Sequence, residues 1–234
     1  MKIGIFSIPA IKLAKYNVKD PRLDQVDKLS LTKKKTYAQV ELVGQEAIVE
    51  TDAILVFKDS RLDLILKDLE FLETRLNRAT EEPEKILLSK LKGILEKEEI
   101  ISQALLSAEE KEAISNYGLL TAKPIIEIEE KDLQDLDTLL LKCIQESGFI
   151  SFFTATGQNE SRAWLIKKGR TAWEAAGLIH SDIQRGFIRA EIISFNDLIQ
   201  SAGQQQAKQA GKMHLEQKDY IMQDGDLASF RFNK

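Results

Sequence analysis

The sequence predicts an α/β unit followed by an α+β unit, and three observations carry that prediction. Short, apolar, β-branched segments open the chain and recur along its first half, as strands buried on both faces of a sheet do. Between them runs a leucine seam with alternating spacings of three and four, the mark of packed helices. From Phe149 onward, strands, a short helix and further strands crowd into the last third of the chain.

Taken in order, Lys2–Pro9 (KIGIFSIP) reads as a first strand, Ile3–Ile8, running into a turn at Pro9. Ala38–Val43, Ala53–Phe57 and Pro124–Ile128 read as further strands of the same sheet. Leu62, Ile65, Leu69, Leu72 and Leu76 form the seam of a helix that stops at Thr80-Glu81-Glu82-Pro83. The pattern resumes at Leu87, Leu91, Ile94 and Ile101, so two helices meet at a proline tip and pack antiparallel as an arm. The arm's charges read as a solvated face, with partner binding the lesser alternative. Ser107 and Glu110 form a capping box for a third helix ending near Gly118. Asp132–Ser147 is amphipathic, with Leu136, Leu139, Leu140 and Ile144 on one side and Gly148 as its stop. Phe149–Thr156 and Arg162–Lys167 make a hairpin around the loop Gly157–Ser161. Thr171–Ala176 is a short helix stopped by Gly177, Phe187–Ser194 a strand, and a helix starts at Asn196. Tyr220–Gln223 and Leu227–Phe232 read as two last strands around the turn Asp224-Gly225-Asp226, completing a roll of the β-grasp type.

Composition sets bounds on the chemistry. With 234 residues, 43% hydrophobic and 30% charged, the chain can build sizeable cores in water. No apolar run approaches the roughly 18 residues of a membrane span, so no membrane is expected. The opening MKIGIFSIPAIKLAK alternates like a strand and lacks the small-residue cleavage site of a signal peptide. The lone Cys143 excludes an internal disulfide, fits a cytoplasmic location, and sits among leucines as a packed thiol. From Ile150 onward there are 11 Lys and Arg against 9 Asp and Glu, a net of +2; the preceding part has 22 against 28, a net of −6. This asymmetry points to two surfaces of different character, without establishing nucleic-acid binding. His180 and His214 lie far apart and have no zinc-like spacing, no EF-hand loop appears, and no serine elbow is present. No metal and no cofactor is expected.

The end of the first strand is the most telling segment. A nucleotide-binding P-loop would continue G-x-x-x-x-G-K-[ST], because glycines allow positive φ and close approach of amides to phosphates. Here the strand continues Ser7-Ile8-Pro9-Ala10-Ile11-Lys12-Leu13, without glycine and without a hydroxyl after the lysine. Bulky Ile11 and Leu13 do not suit an anion cradle.

Longer stretches resemble the YchF/Obg-like ATPase family. Phe152–Gly169 (FFTATGQNESRAWLIKKG), Ala175–Glu191 (AAGLIHSDIQRGFIRAE) and Lys218–Asn233 (KDYIMQDGDLASFRFN) are similar to its C-terminal TGS domain. KIGIFSIP, DPRLDQVDKL (Asp20–Leu29), TDAILVF (Thr51–Phe57) and LLTAKPII (Leu119–Ile126) resemble segments around its nucleotide site. The resemblance implies a reduced P-loop-GTPase-like sheet at 1–60 and 119–148, a helical coiled-coil insertion at 61–118, and a β-grasp TGS domain at 149–234. It also implies ATP hydrolysis and ribosome association. Against that, switch I is reduced to Lys15–Lys19, no D-x-x-G follows Val43, and Glu129-Glu130-Lys131-Asp132 stands where the base-reading asparagine belongs. Phosphoryl transfer depends on positioning and charge neutralisation, and four of its elements are missing together. The expectation is therefore that the chain is not an enzyme and carries no catalytic or nucleotide-binding residue. It would serve as a non-catalytic adaptor for RNA, the ribosome or a protein partner; the alternative is a translation-associated relative with residual ATP or GTP binding.

The candidate partner-binding residues lie in the last third. Lys167, Lys168 and Arg170 cluster at a strand end, Arg185 and Arg189 flank Phe187, and His180 lies in the preceding loop. Cations beside an aromatic suit phosphate contacts and base stacking. The competing reading makes Phe187 and Trp164 core residues and the cations ordinary surface.

Overall fold

A computed structural model describes residues 1–156 and 159–233. The expected loop 157–161 thus lies partly outside the described residues, at Gly157 and Gln158. In chain order the strands and α-helices are β1 Lys2–Phe6, β2 Lys15–Val18, α1 Pro21–Ser30, β3 Lys34–Thr36, β4 Ala38–Val43 and β5 Ala53–Phe57. Then come α2 Arg61–Arg78, α3 Glu82–Leu95, α4 Ala108–Ile114, β6 Ile125–Ile128 and α5 Leu136–Glu146. The remainder is β7 Phe149–Thr156, β8 Glu160–Lys167, α6 Ala172–Ile179, α7 Ser181–Arg185, β9 Phe187–Ile193, α8 Phe195–Gln200, α9 Gln204–Gln209, β10 His214–Glu216 and β11 Leu227–Phe232. Two compact units result: Met1–Tyr16 with Val40–Leu139, and Asn17–Gln39 with Leu140–Lys234. The module limits expected from sequence follow the family resemblance and remain a proposal; compactness divides the chain at other points.

The first unit is built on a sheet ordered β2-β4-β1-β5-β6. β1 runs parallel to β4 and to β5, and β5 parallel to β6. Ile3, Ala53, Ile54, Val56 and Ile126 are fully buried, which explains why these strands read as unbroken apolar runs. β1 ends two residues before the expected Ile8 because Ser7 takes a left-handed φ of 56°.

α2 and α3 pack together as the expected hairpin, tied by Arg75–Glu84 at 2.7 Å and Lys92–Glu73 at 3.0 Å. Their core gathers Ile65, Leu72, Leu87, Leu88, Leu91 and Leu95, with Leu69 and Leu76 partly buried against it. One expected seam residue falls outside: Leu62 is 45% exposed. The reason is a rotation at the start of α2, where Leu64 turns instead into the cluster formed by Phe6, Ile54 and Val56. The inward stripe also contains a carboxylate. Asp68 accepts the backbone N–H groups of Leu120 at 3.0 Å and Thr121 at 2.7 Å, and the Thr121 hydroxyl at 2.5 Å. Those three donors make its burial tolerable, and burial still pushes its carboxyl above the ordinary value.

The second unit is a mixed sheet ordered β10-β9-β11-β7-β8-β3. β7–β8, β9–β11 and β9–β10 are antiparallel, while β11–β7 and β3–β8 are parallel. Both faces are covered. Ala172, Ala175 and Ala176 of α6, with Met222, pack on Ile150, Phe152, Ile166 and Ile192. On the other face Leu23 and Val26 of α1, with Leu198 and Ala207, pack on Phe153, Ala163, Ile193 and Leu227. A segment from the first fifth of the chain therefore completes the core of the last third. Arg22 holds it there, bonding Asp20 at 2.8 Å and Asp224 at 2.7 Å while lying 5.7 Å from the Phe153 ring centroid.

Four local expectations change. Tyr220–Gln223 is not a strand, only a bridge between Ile221 and Thr171, because the Asp226 carboxylate accepts the Gln223 N–H and the Tyr220 hydroxyl and fixes a loop. α6 continues through Gly177 to Ile179; a Cβ there would meet the Gln184 side chain at 2.6 Å, so glycine permits α7 to pack instead of ending the helix. The helix expected from Asp132 begins as a 3₁₀ turn, Glu130–Gln134, and becomes α-helical only at Leu136. β8 starts two residues earlier than expected, at Glu160. Cys143 is buried, and burial pushes its thiol up to about 12, as expected of a packed, unreactive side chain.

Candidate functional site

Candidate surfaces lie in both units. In open parallel sheets ligands gather beyond the carboxyl ends of the strands. In the first unit that edge begins at Ser7. Ile8 is buried, and the Ile11 N–H donates to the Ile8 carbonyl at 3.3 Å, closing a turn. Lys12 and Leu13 are exposed, and the chain proceeds into β2, so among the described residues no helix N-terminus follows β1. Gln45 and Ser7 approach at 3.5 Å beside this turn. Lys58 and Lys131 both clamp Glu129, at 2.5 and 2.6 Å, and the two ammonium groups hold its carboxyl down at about 2. Lys12 is an exposed cation of this edge with no side-chain partner among the described residues. These residues do not form a glycine cradle for a triphosphate, and no hydrolytic step is assigned to them.

In the second unit β8 ends in a turn whose Gly169 has φ +87°. Around it Lys167 lies 5.7 Å from the Phe149 ring centroid, Lys168 is exposed, and Arg170 pairs with Glu174 at 2.5 Å. The structure brings these three together at one corner. His180 caps α7: its Nδ1 accepts the Asp182 N–H at 3.1 Å. Arg185 pairs with Asp182. His180 and Arg185 line a shallow groove of about 860 Å³ with Ile183, Phe232 and Asn233. Phe187 is half-buried, tilted against Phe230 at 6.1 Å within the core, while Arg189 is exposed on β9. Arg189 faces Arg231 across the β9–β11 pair, and Arg231 is drawn to Glu191 at 3.0 Å. The candidates therefore occupy two surfaces, a lysine-arginine corner and an α7 groove, and the ring among them is turned inward.

Sequence reasoning passed over Trp173 and Lys218. The Trp173 N–H donates to the Lys218 carbonyl at 3.2 Å, so the two are neighbours, and both are exposed. A signal for Trp173 existed: with Ala172, Ala175 and Ala176 facing inward, helical periodicity turns position 173 to solvent.

Comparison with known proteins follows this division. Residues 149–233 match the family profile YchF-GTPase_C, described as a protein of unknown function (DUF933). The chain is 49% identical over 108 residues to the ribosome-binding ATPase YchF of Bacillus subtilis, covering 45% of this chain and 29% of that protein. It is 57% identical over 83 residues to the protein of that name in Escherichia coli O157:H7, covering 36% and 23%. Obg-like ATPase 1 of Danio rerio is 38% identical over 105 residues, covering 45% and 26%. The chain thus matches less than a third of the length of these curated relatives. The solved Schizosaccharomyces pombe YchF GTPase shares the fold, with TM-score 0.76 and 20% identity over 99% of this chain and 97% of that one. The resemblance to the YchF and Obg-like ATPases is supported through the C-terminal region and the fold.

These findings correct the expectation that the chain is not an enzyme. The curated relatives are named ATPases and the solved neighbour a GTPase, so the resemblance leads to nucleotide-hydrolysing proteins. No described helix is long and apolar enough to cross a membrane.

Proposed function

We propose that the chain is a cytoplasmic, translation-associated relative of the ribosome-binding ATPases, meeting ribosomal RNA through its second unit. The observation that carries this reading is the 49% identity over 108 residues to an ATPase named for ribosome binding. The lysine-arginine corner of Lys167, Lys168 and Arg170 supplies phosphate contacts, and the α7 groove with His180 and Arg185 supplies a second contact. Phe187 packs on the core with Phe230, and Arg189 extends the cationic surface along β9. The second unit is read as a TGS domain and the α2–α3 hairpin as the insertion arm. Sedimentation of the chain with purified ribosomes at stepped salt tests the reading. Binding that falls steeply with salt is expected; free chain at every salt concentration contradicts it.

The names of the relatives favour a second element, contact with ATP or GTP at the carboxyl edge of the first sheet. Lys12, exposed beside the β1 turn and without a side-chain partner among the described residues, is a cation available for it. Calorimetry with ATP and with GTP, each with and without Mg²⁺, checks this. Binding tighter than roughly 100 μM, about 5.5 kcal/mol, is the expected signature; no heat with either nucleotide removes it.

A further inference from the structure

The two tryptophans of the second unit are in opposite states. Trp164 is fully engaged: Arg162 lies 4.1 Å from its ring centroid, Phe152 stacks on it at 6.3 Å, and its Nε1 donates to Thr154 at 3.0 Å. Trp173 is 44% exposed, and among the described residues its indole has no ring neighbour, no cation over it and no acceptor for its N–H. Its open ring face is a surface on which another flat π-system can stack.

Its surroundings say what kind of partner. Backbone hydrogen bonds lay residues 170–173 beside residues 218–222: the Met222 N–H donates to Arg170 at 3.0 Å, the Ala172 N–H to Tyr220 at 2.7 Å, and the Trp173 N–H to Lys218 at 3.2 Å. The main chain of Trp173 thereby lies beside that of Lys218, with Lys168 and Arg170 a few residues before it, and all four are exposed. Lys168 and Lys218 have no side-chain partner among the described residues, and Glu174, the near carboxylate on α6, is already committed to Arg170 at 2.5 Å. Asp219 is the exposed acid on the rim. An exposed π-face with the exposed lysines Lys168 and Lys218 on neighbouring segments matches an unstacked base flanked by phosphates, whereas an apolar protein side chain would leave the lysines without counter-charge.

We propose that Trp173 is a stacking platform for an unpaired RNA base, with Lys168 and Lys218 neutralising the phosphates on either side of it. The inference rests on the ribosome-binding reading and names the feature of RNA that the second unit engages: a single-stranded segment rather than a duplex. Stacking depends on the ring and not on base identity, so the contact selects for strand openness more than for sequence.

The test is a fluorescence-anisotropy titration of the whole chain with a dye-labelled oligouridylate and with an RNA duplex, beside ribosome sedimentation, for the natural chain, W173F and W173A. The natural chain should bind the oligouridylate more tightly than the duplex. W173A should weaken oligouridylate binding roughly tenfold, with W173F in between, and leave the salt slope unchanged. The indole is 44% exposed, so W173F should keep the unfolding midpoint and W173A should lower it only modestly, with binding compared where both are folded. Ribosome binding that persists while W173A binds oligouridylate like the natural chain overturns the platform and leaves the ribosome reading standing. Loss of ribosome binding in W173A with unchanged oligouridylate binding also overturns it, by pointing to a protein contact. If the natural chain binds neither ribosomes nor oligouridylate, both readings fall.

Discussion

The two units keep different things in common with the proteins they resemble. The second unit contains the stretch that matches a family profile, residues 149–233, and relatives reach 57% identity over 83 residues. Across the whole chain, the Schizosaccharomyces pombe GTPase shares only 20% identity, yet its fold superimposes with TM-score 0.76. A parallel sheet such as β4-β1-β5-β6 requires little more than apolar β-branched runs, so many sequences satisfy it. The second unit is more demanding. Its mixed sheet needs Asp224 and Asp226 at one turn, Gly225 at φ +88° between them, and the distant Arg22 to meet them. The lesson is that backbone arrangement survives extensive replacement of side chains, whereas specific surfaces and turns do not.

The sharpest way to break this comparison is to remove one core side chain from each unit. Phe152→Ala should cost about 3–5 kcal/mol and Leu88→Ala about 2–5 kcal/mol, both being fully buried. Hydrogen exchange read segment by segment should show each effect confined to the protected amides of its own unit. Equal loss of protection in both units from either substitution would mean that the division is not energetic.

Asp68 sharpens the same point for the first unit. Asp68→Ala leaves the donors of Leu120 and Thr121 unpaired and should destabilise that unit by about 2–3 kcal/mol. Burial raises the Asp68 carboxyl in the folded state, so the folded chain holds that proton more tightly than the unfolded chain does. Its contribution is therefore fully present below the unfolded value of about 4 and declines as pH rises through the raised folded value. Denaturant titrations from acid to neutral pH should show this decline in the natural chain and lose it in Asp68→Ala.

Arg22 is the counterpart in the second unit. Arg22→Met keeps the stem against Phe153 but strands Asp20 and Asp224, and should cost about 1.5–3 kcal/mol. Protection should fall first in α1, measured by the same exchange experiment.

Much of this was legible in the sequence. Ala38–Val43, Ala53–Phe57 and Phe149–Thr156 match observed strands end to end, because apolar runs bounded by turn residues leave little freedom. The capping box at Ser107 is present as written. What stayed hidden depends on long-range contacts. No helix was expected at Pro21–Ser30, and nothing local says that α1 covers a sheet assembled from the far end of the chain. The short strands β3 and β10 carry lysine, threonine, histidine and glutamate, and exist through pairing with β8 and β9 rather than through composition. Asp226 defeated the last hairpin by capturing the Gln223 N–H, a tertiary bond that turn statistics do not contain. At the candidate site, the cation corner was visible as a cluster. Phe187 was not separable from an exposed ring by spacing alone, and the free indole of Trp173 required the helix register.

The account stands on the cation corner of the second unit being a phosphate-binding surface. The most direct measurement is the salt dependence of ribosome binding for the natural chain and for a variant carrying Lys167→Glu, Lys168→Glu and Arg170→Glu. These positions are exposed, so the fold should be kept, with a small drop in midpoint from loss of the Arg170–Glu174 pair. Its affinity should fall, and its plot of log affinity against log salt should be shallower by about 2 to 3 units, one for each phosphate that is no longer neutralised. An unchanged affinity with an unchanged slope would contradict the account.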